Sequence, residues 1–221
     1  MIENEIPHLT ETPEGLTLTG NGLSMRGDFS KMKKRLKAGI VGTEHLVRAA
    51  RFKGETGLLL VDATAGLGED SVLLAAAGFR VLLMERNETI AALLKDALKR
   101  GAEDPELTET VSRMEVLEGD STELLPKLSV TPDVVYLDPM FPERKKSALI
   151  KKKFQLIHGL EKPCEDEDLL FDAALSASPR KIVVKRPEKG PFLAGRKPDY
   201  SLPGKAIRYD VYLYVKENGK D

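Results

Sequence analysis

Residues 57–70 read GLLLVDATAGLGED. Leu58, Leu59, Leu60 and Val61 form an apolar run of strand length, and Asp62 closes it. Gly66 and Gly68 then supply a tight turn, and a helix begins near Asp70. Glycines let a backbone approach a ligand closely, and a helix start presents free N–H groups to it.

The same rhythm continues downstream. SVLLAAAG is a helix stopped by Gly78, and FRVLLMERN is a second strand. In ETIAALLKDALKRGA the apolar residues Ile90, Leu93, Leu94, Ala97 and Leu98 recur at helical spacing. RMEVLEGDS reads as a strand, STELLPKL as a short helix and DVVYLDP as a strand. A basic helix from about 144 to 160 and an acidic one from about 165 to 177 come next, then KIVVKRP, a fifth buried strand. Residues 188–204, rich in Gly and Pro, read as a loop. AIRYDVYLYV closes the chain with an alternation suited to a strand that need not be parallel. Strands alternating with helices predict an α/β fold, a doubly wound and mostly parallel sheet, over residues 55–221.

Residues 1–54 read as a small α+β appendage. LTLTGNGLSM (16–25) alternates around Gly20-Asn21-Gly22, which predicts a hairpin. Residues 29–53 hold eight Lys/Arg and one acid, Glu44. Broken at Gly39 and Gly42, this stretch predicts a short basic helix, a turn, and a second helix capped by Thr43 with Leu46, Val47 and Ala50 inward.

The chain has 221 residues, 41% apolar and 31% charged, with a net charge of −1, as for a globular protein that does not coat nucleic acid indiscriminately. Cys164 is the single cysteine and sits in the acidic flank KPCEDEDLL, which disfavours a thiolate. His8, His45 and His158 are scattered, so no metal is implied. The first residues lack the basic and apolar blocks of a signal peptide, and no apolar run approaches the roughly 20 residues of a membrane span. The expectation is a cytoplasmic protein without membrane contact.

In doubly wound sheets ligands bind beyond the carboxyl ends of the strands. Glu85 ends the second strand, 17 residues past Gly68, where an acid can accept hydrogen bonds from both hydroxyls of a ribose. Arg86 beside it lies along an adenine or faces water. Asp120 and Ser121 end the third strand, placed either to meet an adenine amine or to cap the next helix. Glu69 and Asp70 crowd the turn with negative charge, which suits a cation better than a pyrophosphate. S-adenosylmethionine, with a sulfonium and an ammonium group and no phosphate, fits that charge pattern better than a dinucleotide.

The fourth strand ends LDPMFP (137–142). An exocyclic amine on a nucleobase is a poor nucleophile because its lone pair is delocalised. Acceptors for its two hydrogens localise that pair and aim it. Asp138 offers one acceptor, the Pro139 carbonyl a second, and Phe141 a face on which an extruded base can stack. Residues 144–153 then hold six Lys/Arg and no acid. Charge runs are by default solvated faces, but Arg144, Lys145, Lys146, Lys151 and Lys152 adjoin Phe141. With Lys33, Lys34 and Arg35 they form a candidate phosphate-binding set for RNA.

VDATAGLGED, ERN, YLDPMFP with KKSALIKKK, and VVKRP together resemble the bacterial small-subunit ribosomal RNA guanine-N2 methyltransferases of the J type. The resemblance covers roughly residues 57–215. It implies a class I methyltransferase fold, S-adenosylmethionine as donor, and a guanine of 16S ribosomal RNA, naked or in the small subunit, as acceptor. It places cofactor contacts at Glu69, Asp70, Glu85, Arg86, Asp120, Ser121 and Asp138, to which the residue reading adds Asp62, Gly66 and Gly68. The leading region departs from the family pattern: RLKAGIVGTEHLVRAA stands where a glycine-rich segment is expected. Alternatives are an N-methyltransferase acting on another RNA, DNA or a protein amide, a non-catalytic RNA-binding assembly factor, and a nicotinamide-dependent oxidoreductase.

Overall fold

The computed structural model describes residues 6–139, 156 and 166–214. Its centre is a seven-stranded sheet. In chain order the strands are β4 (Leu59–Asp62), β5 (Arg80–Glu85), β6 (Met114–Glu118), β7 (Val134–Leu137), β8 (Lys181–Pro187), β9 (Tyr200–Pro203) and β10 (Ile207–Leu213). Their order across the sheet is β6-β5-β4-β7-β8-β10-β9. The first five are mutually parallel, and β10 runs antiparallel to both β8 and β9. Chain order therefore reverses at β4 and β7, and that switch point is where such sheets bind ligands.

Helices cover both faces, which is why the central strands are apolar without interruption. Alternate residues feed two cores. Leu60, Val81, Leu83, Val134 and Val183 pack on one side with α4 (Glu69–Ala76) and α5 (Glu88–Glu103). Val61, Met84, Val135, Leu137 and Val184 pack on the other with α8 (Glu167–Ser176). The helix α5 starts where the Asn87 side chain accepts the N–H groups of Thr89 and Ile90. It buries Ile90, Leu93, Leu94 and Ala97, as the spacing predicts.

The leading region forms a three-stranded antiparallel sheet, β1 (His8–Thr12), β2 (Gly15–Gly20) and β3 (Leu23–Met25). The hairpin at Gly20-Asn21-Gly22 is present, with positive φ at Asn21 (54°) and Gly22 (69°). The basic stretch is more broken than its sequence predicts. A 3-10 turn (Phe29–Met32) leads into α1 (Lys33–Leu36), α2 (Ala38–Val41) and α3 (His45–Ala50). Thr43 does not cap α3; its hydroxyl donates to the Ile40 carbonyl, and Glu44 holds the N-cap position without a side-chain bond. Leu46, Val47 and Ala50 are buried as expected, in the same core as Phe29 and the sheet.

Two further expectations change. β1 was not anticipated, because its residues are largely exposed and polar. The segment 188–204 contains β9, a sheet-edge strand that pairs with β10 despite Pro203. The acidic helix is α8. The basic helix anticipated over 144–160 lies outside the described residues except for Leu156, which is buried with Leu18, Met25 and Leu93. The short helix α7 spans Ser121–Leu124, and α6 (Thr108–Val111) fills the gap before β6.

Candidate active site

A cavity of about 460 Å³ opens beyond the carboxyl ends of β4, β5, β6 and β7. The turn after β4 forms its floor. Gly68 stands at the start of α4 with φ of 77°, and a Cβ there would lie 2.7 Å from Leu94 Cδ1. Gly66 is also left-handed, with φ of 54°, but a Cβ there would meet nothing within 4 Å. Gly68 is a glycine for packing, whereas Gly66 keeps the cavity floor low.

Asp62 is buried at the end of β4. One oxygen accepts the Ser71 hydroxyl at 2.5 Å and the other the Thr64 N–H at 3.1 Å. Burial pushes its carboxyl up to about 7. Its main work is to tie the glycine turn to α4. Glu85, also buried, accepts the Gly66 N–H at 2.9 Å and the Asn87 N–H at 2.8 Å, one on each oxygen. Burial raises its pKa, and these two backbone bonds oppose the rise. Each oxygen keeps a lone-pair direction for a further donor.

At the third strand end, Asp120 is the N-cap of α7. Its Oδ1 accepts the Thr122 N–H and hydroxyl, at 2.9 and 2.7 Å. Its Oδ2 stands 3.6 Å from Nη1 of Arg86, a side chain that is half exposed. The capping reading of Asp120 holds through Oδ1, while the residue also lines the cavity. Ser121 is buried behind it.

The fourth strand end brings in residues the sequence alone did not single out. The Asp138 N–H donates to Thr64 Oγ1 at 2.7 Å, which pins the backbone of Asp138 and Pro139 to the glycine turn. Lys185, on β8, donates from Nζ to Asp138 Oδ2 and Asp70 Oδ2, at 2.8 Å each. The Tyr136 hydroxyl donates to the same Asp70 oxygen at 2.7 Å. Burial raises the pKa of Asp138, against the pull of the Lys185 ammonium. Burial alone would lower the pKa of Lys185, but Asp138 and Asp70 outweigh it and lift the group well above its ordinary value. Met25 and Arg26, from the leading hairpin, complete the wall beside Leu67. Glu69 is exposed at the rim.

Of the expected cation set, Lys33 pairs with Asp104 and Glu106, at 2.7 and 2.8 Å. Arg35 is held by Glu44 through two bonds, at 2.8 and 3.0 Å, and Lys34 is exposed. Phe141, Arg144, Lys145, Lys146, Lys151 and Lys152 lie outside the described residues.

The residues lining the cavity include six acids (Asp62, Glu69, Asp70, Glu85, Asp120, Asp138) against three bases (Arg26, Arg86, Lys185). An anionic cradle with an open glycine floor suits a cationic nucleoside such as S-adenosylmethionine and repels a pyrophosphate. The cavity volume is within the ordinary range for small-molecule sites.

Comparison with known proteins agrees with this geometry. Residues 4–214 match the family model described as "Putative SAM-dependent methyltransferase". The ribosomal RNA small subunit methyltransferase J of Thioalkalivibrio sulfidiphilus is 41% identical, over 91% of this chain and 85% of the relative. That of Chromohalobacter salexigens is 40% identical, over 93% and 84%. A crystal structure of a SAM-dependent methyltransferase from Neisseria gonorrhoeae is 31% identical, with a TM-score of 0.79, covering 99% of this chain and 86% of that one. The fold, though not the sequence, is shared with the rRNA methyltransferase aviRa of Streptomyces viridochromogenes (16% identity, TM-score 0.54, covering 82% and 92%). These matches include the leading region, which the motifs alone left outside the resemblance. With an anionic cavity at the switch point of its β6-β5-β4-β7-β8-β10-β9 sheet, and with matches along nearly its whole length, the chain belongs to the ribosomal RNA small subunit methyltransferase J family of S-adenosylmethionine-dependent methyltransferases.

Proposed function

We propose that this protein methylates the exocyclic 2-amino group of a guanine in 16S ribosomal RNA. The observation that carries this reading is the placement of Asp138 and Pro139 on the same cavity as Gly66, Glu85 and Asp120. An amine acceptor and a nucleoside cradle then share one wall. S-adenosylmethionine, when bound, would supply an electrophilic methyl group: the N–C bond would form as the C–S bond breaks with its electron pair staying on sulfur, and the displaced amine proton would pass to water.

The chain's own residues do the rest. Glu85 accepts from the ribose hydroxyls with the lone pairs that Gly66 and Asn87 leave. Asp120 Oδ2 and Arg86 border the adenine. Asp70 faces the cationic end of the donor, beside Glu69 at the rim. Asp138 and the Pro139 carbonyl accept the two amine hydrogens of the guanine, so that its lone pair points at the methyl carbon. Direct transfer needs no covalent enzyme intermediate. Phe141 stacks on the base, and Arg144, Lys145, Lys146, Lys151 and Lys152, with exposed Lys34, contact phosphates. Lys33 and Arg35 contribute less to phosphate attraction, because their charges already face acids. Among the described residues no helix is long and apolar enough to cross a membrane. On this reading the protein works in the cytoplasm, with the small subunit or its RNA as partner.

The test uses methyl-labelled S-adenosylmethionine with small subunits and with bare 16S RNA, both from cells lacking the protein. Label recovered as N2-methylguanosine supports the reading, and the better substrate shows when in assembly the protein acts. Label in another nucleoside, or none in RNA despite donor binding, overturns it.

A further inference from the structure

Lys185, on the cavity wall, hydrogen-bonds two acids at once. The sheet places it there: β7 and β8 are parallel with Leu137 beside Val184, so Lys185 follows next to Asp138. Its Nζ reaches Asp138 Oδ2 and Asp70 Oδ2 at 2.8 Å each. Two carboxylates that close disfavour each other's ionisation unless a cation lies between them. The charged and titratable groups that act on this pair are Asp62 from β4, Tyr136 from β7, Lys185 and Arg186 from β8, Tyr209 from β10 and, toward Asp70, Arg35 from α1 and Glu44 at the start of α3. Three of these carry positive charge, and of the three Lys185 bonds Asp138 directly.

A protonated Asp138 would lose the charge that strengthens its acceptor oxygens and would turn one of them into an O–H donor, so it would accept an amine hydrogen more weakly. Orientation matters as much. The Asp138 main chain is fixed by its N–H on Thr64 Oγ1 at 2.7 Å, and Lys185 fixes the other end by taking Oδ2. Among the described residues, no hydrogen bond occupies Oδ1.

We propose that Lys185 is a positioning residue for methyl transfer: its ammonium, shared between Asp70 and Asp138, keeps Asp138 ionised and holds Oδ2, leaving Oδ1 for the acceptor amine. This rests on the reading of Asp138 as amine acceptor.

The test compares full-length wild type, Lys185→Met, Lys185→Arg and Asp138→Asn. The Asp138 carboxyl is titrated directly by NMR on protein labelled with ¹³C in aspartate, its signal assigned from its loss in Asp138→Asn. In Lys185→Met the midpoint rises by about one pH unit or more. At saturating donor, kcat falls ~10–100-fold, as expected for a misplaced group. The acidic limb of the kcat profile moves up in step with the carboxyl midpoint, and Lys185→Arg recovers most of both. A midpoint that stays put in Lys185→Met, or a loss of kcat equal at every pH, overturns the proposal. Full kcat in a further variant, Asp138→Ala, which has no side-chain acceptor, overturns the acceptor reading instead. That failure is distinguishable, since the carboxyl midpoint in the wild-type background still follows Lys185.

Discussion

Asp62 and Ser71 share a 2.5 Å hydrogen bond in the core, and neither is more than 1% exposed. The bond joins the end of β4 to the first turn of α4 across the glycine turn, so it sets the shape of the cavity floor. Removing the hydroxyl leaves a buried carboxylate one bond short, so Ser71→Ala should cost about 1–3 kcal/mol. Chemical denaturation of the purified protein measures this directly.

The same carboxyl makes stability depend on pH. Its folded pKa, about 7, lies above its unfolded value near 3.8, so the folded state holds the proton more tightly between those values. The contribution is full below the unfolded pKa and is lost as pH rises through the folded one. Asp62→Asn removes this dependence. Urea titrations at pH 5 and pH 8 should show the variant gaining on wild type at the higher pH; parallel stabilities at both would contradict the assignment.

Gly66 and Gly68 are two residues apart and should fail in different ways. Gly68→Ala puts a Cβ 2.7 Å from Leu94 Cδ1 at φ of 77°, so it should lower stability by about 2 kcal/mol or more. Gly66→Ala at φ of 54° meets no protein atom and should cost only about 1 kcal/mol. Its methyl instead occupies ligand space. Calorimetric S-adenosylmethionine binding and thermal melts of both variants separate the effects: affinity falls most in Gly66→Ala, and Tm most in Gly68→Ala.

The strand ends were legible because each buried strand is an apolar run and each stops at an acid or a turn, a local signal. Glu85 and Asp138 were readable in that way. Lys185 was not. In VVKRP it reads as the polar end of a strand, and its partners lie 47 and 115 residues away in sequence. Only the sheet order brings them together. Thr64 and Tyr136 were missed for the same reason, since their hydroxyls act on Asp138 and Asp70 across strands. β9 was hidden because an edge strand draws its stability from pairing with β10 rather than from its own pattern. The failed cap at Thr43 reflects competition between an N-cap bond and a backward bond to Ile40, which residue type alone does not decide.

Glu85 holds the floor and faces the cavity, so its substitution should affect both binding and stability, unequally. Glu85→Gln keeps one acceptor for Gly66 or Asn87 but loses the charge. A charge-assisted bond to a hydroxyl contributes about 1.5–3 kcal/mol, so affinity for S-adenosylmethionine should fall roughly 10–100-fold. An analogue lacking the ribose hydroxyls should bind wild type and Glu85→Gln alike. If the variant weakens both ligands equally, Glu85 supports the turn rather than the ribose.

Lys181 anchors the leading region at the far end of β8 from the cavity. Its buried ammonium donates to the carbonyls of Ala49 and Arg51, at 2.9 and 3.0 Å, where α3 ends. Phe52 lies beneath it at 4.3 Å, and Arg180 stands over the same ring at 3.9 Å while gripping Glu55. Residues 29–50 therefore share one core with the sheet, while Leu18 and Met25 of the hairpin pack in a smaller cluster with Leu93 of α5. Lys181→Met removes charge-assisted bonds to carbonyls that stay buried, at a cost of about 2–3 kcal/mol. Hydrogen exchange should quicken first in α1 to α3, while donor affinity stays unchanged because no cavity residue is touched. If the leading region were independent, wild type would melt in two steps and the variant would lower only the first. A shared core requires a single transition in both, moved down as a whole in the variant.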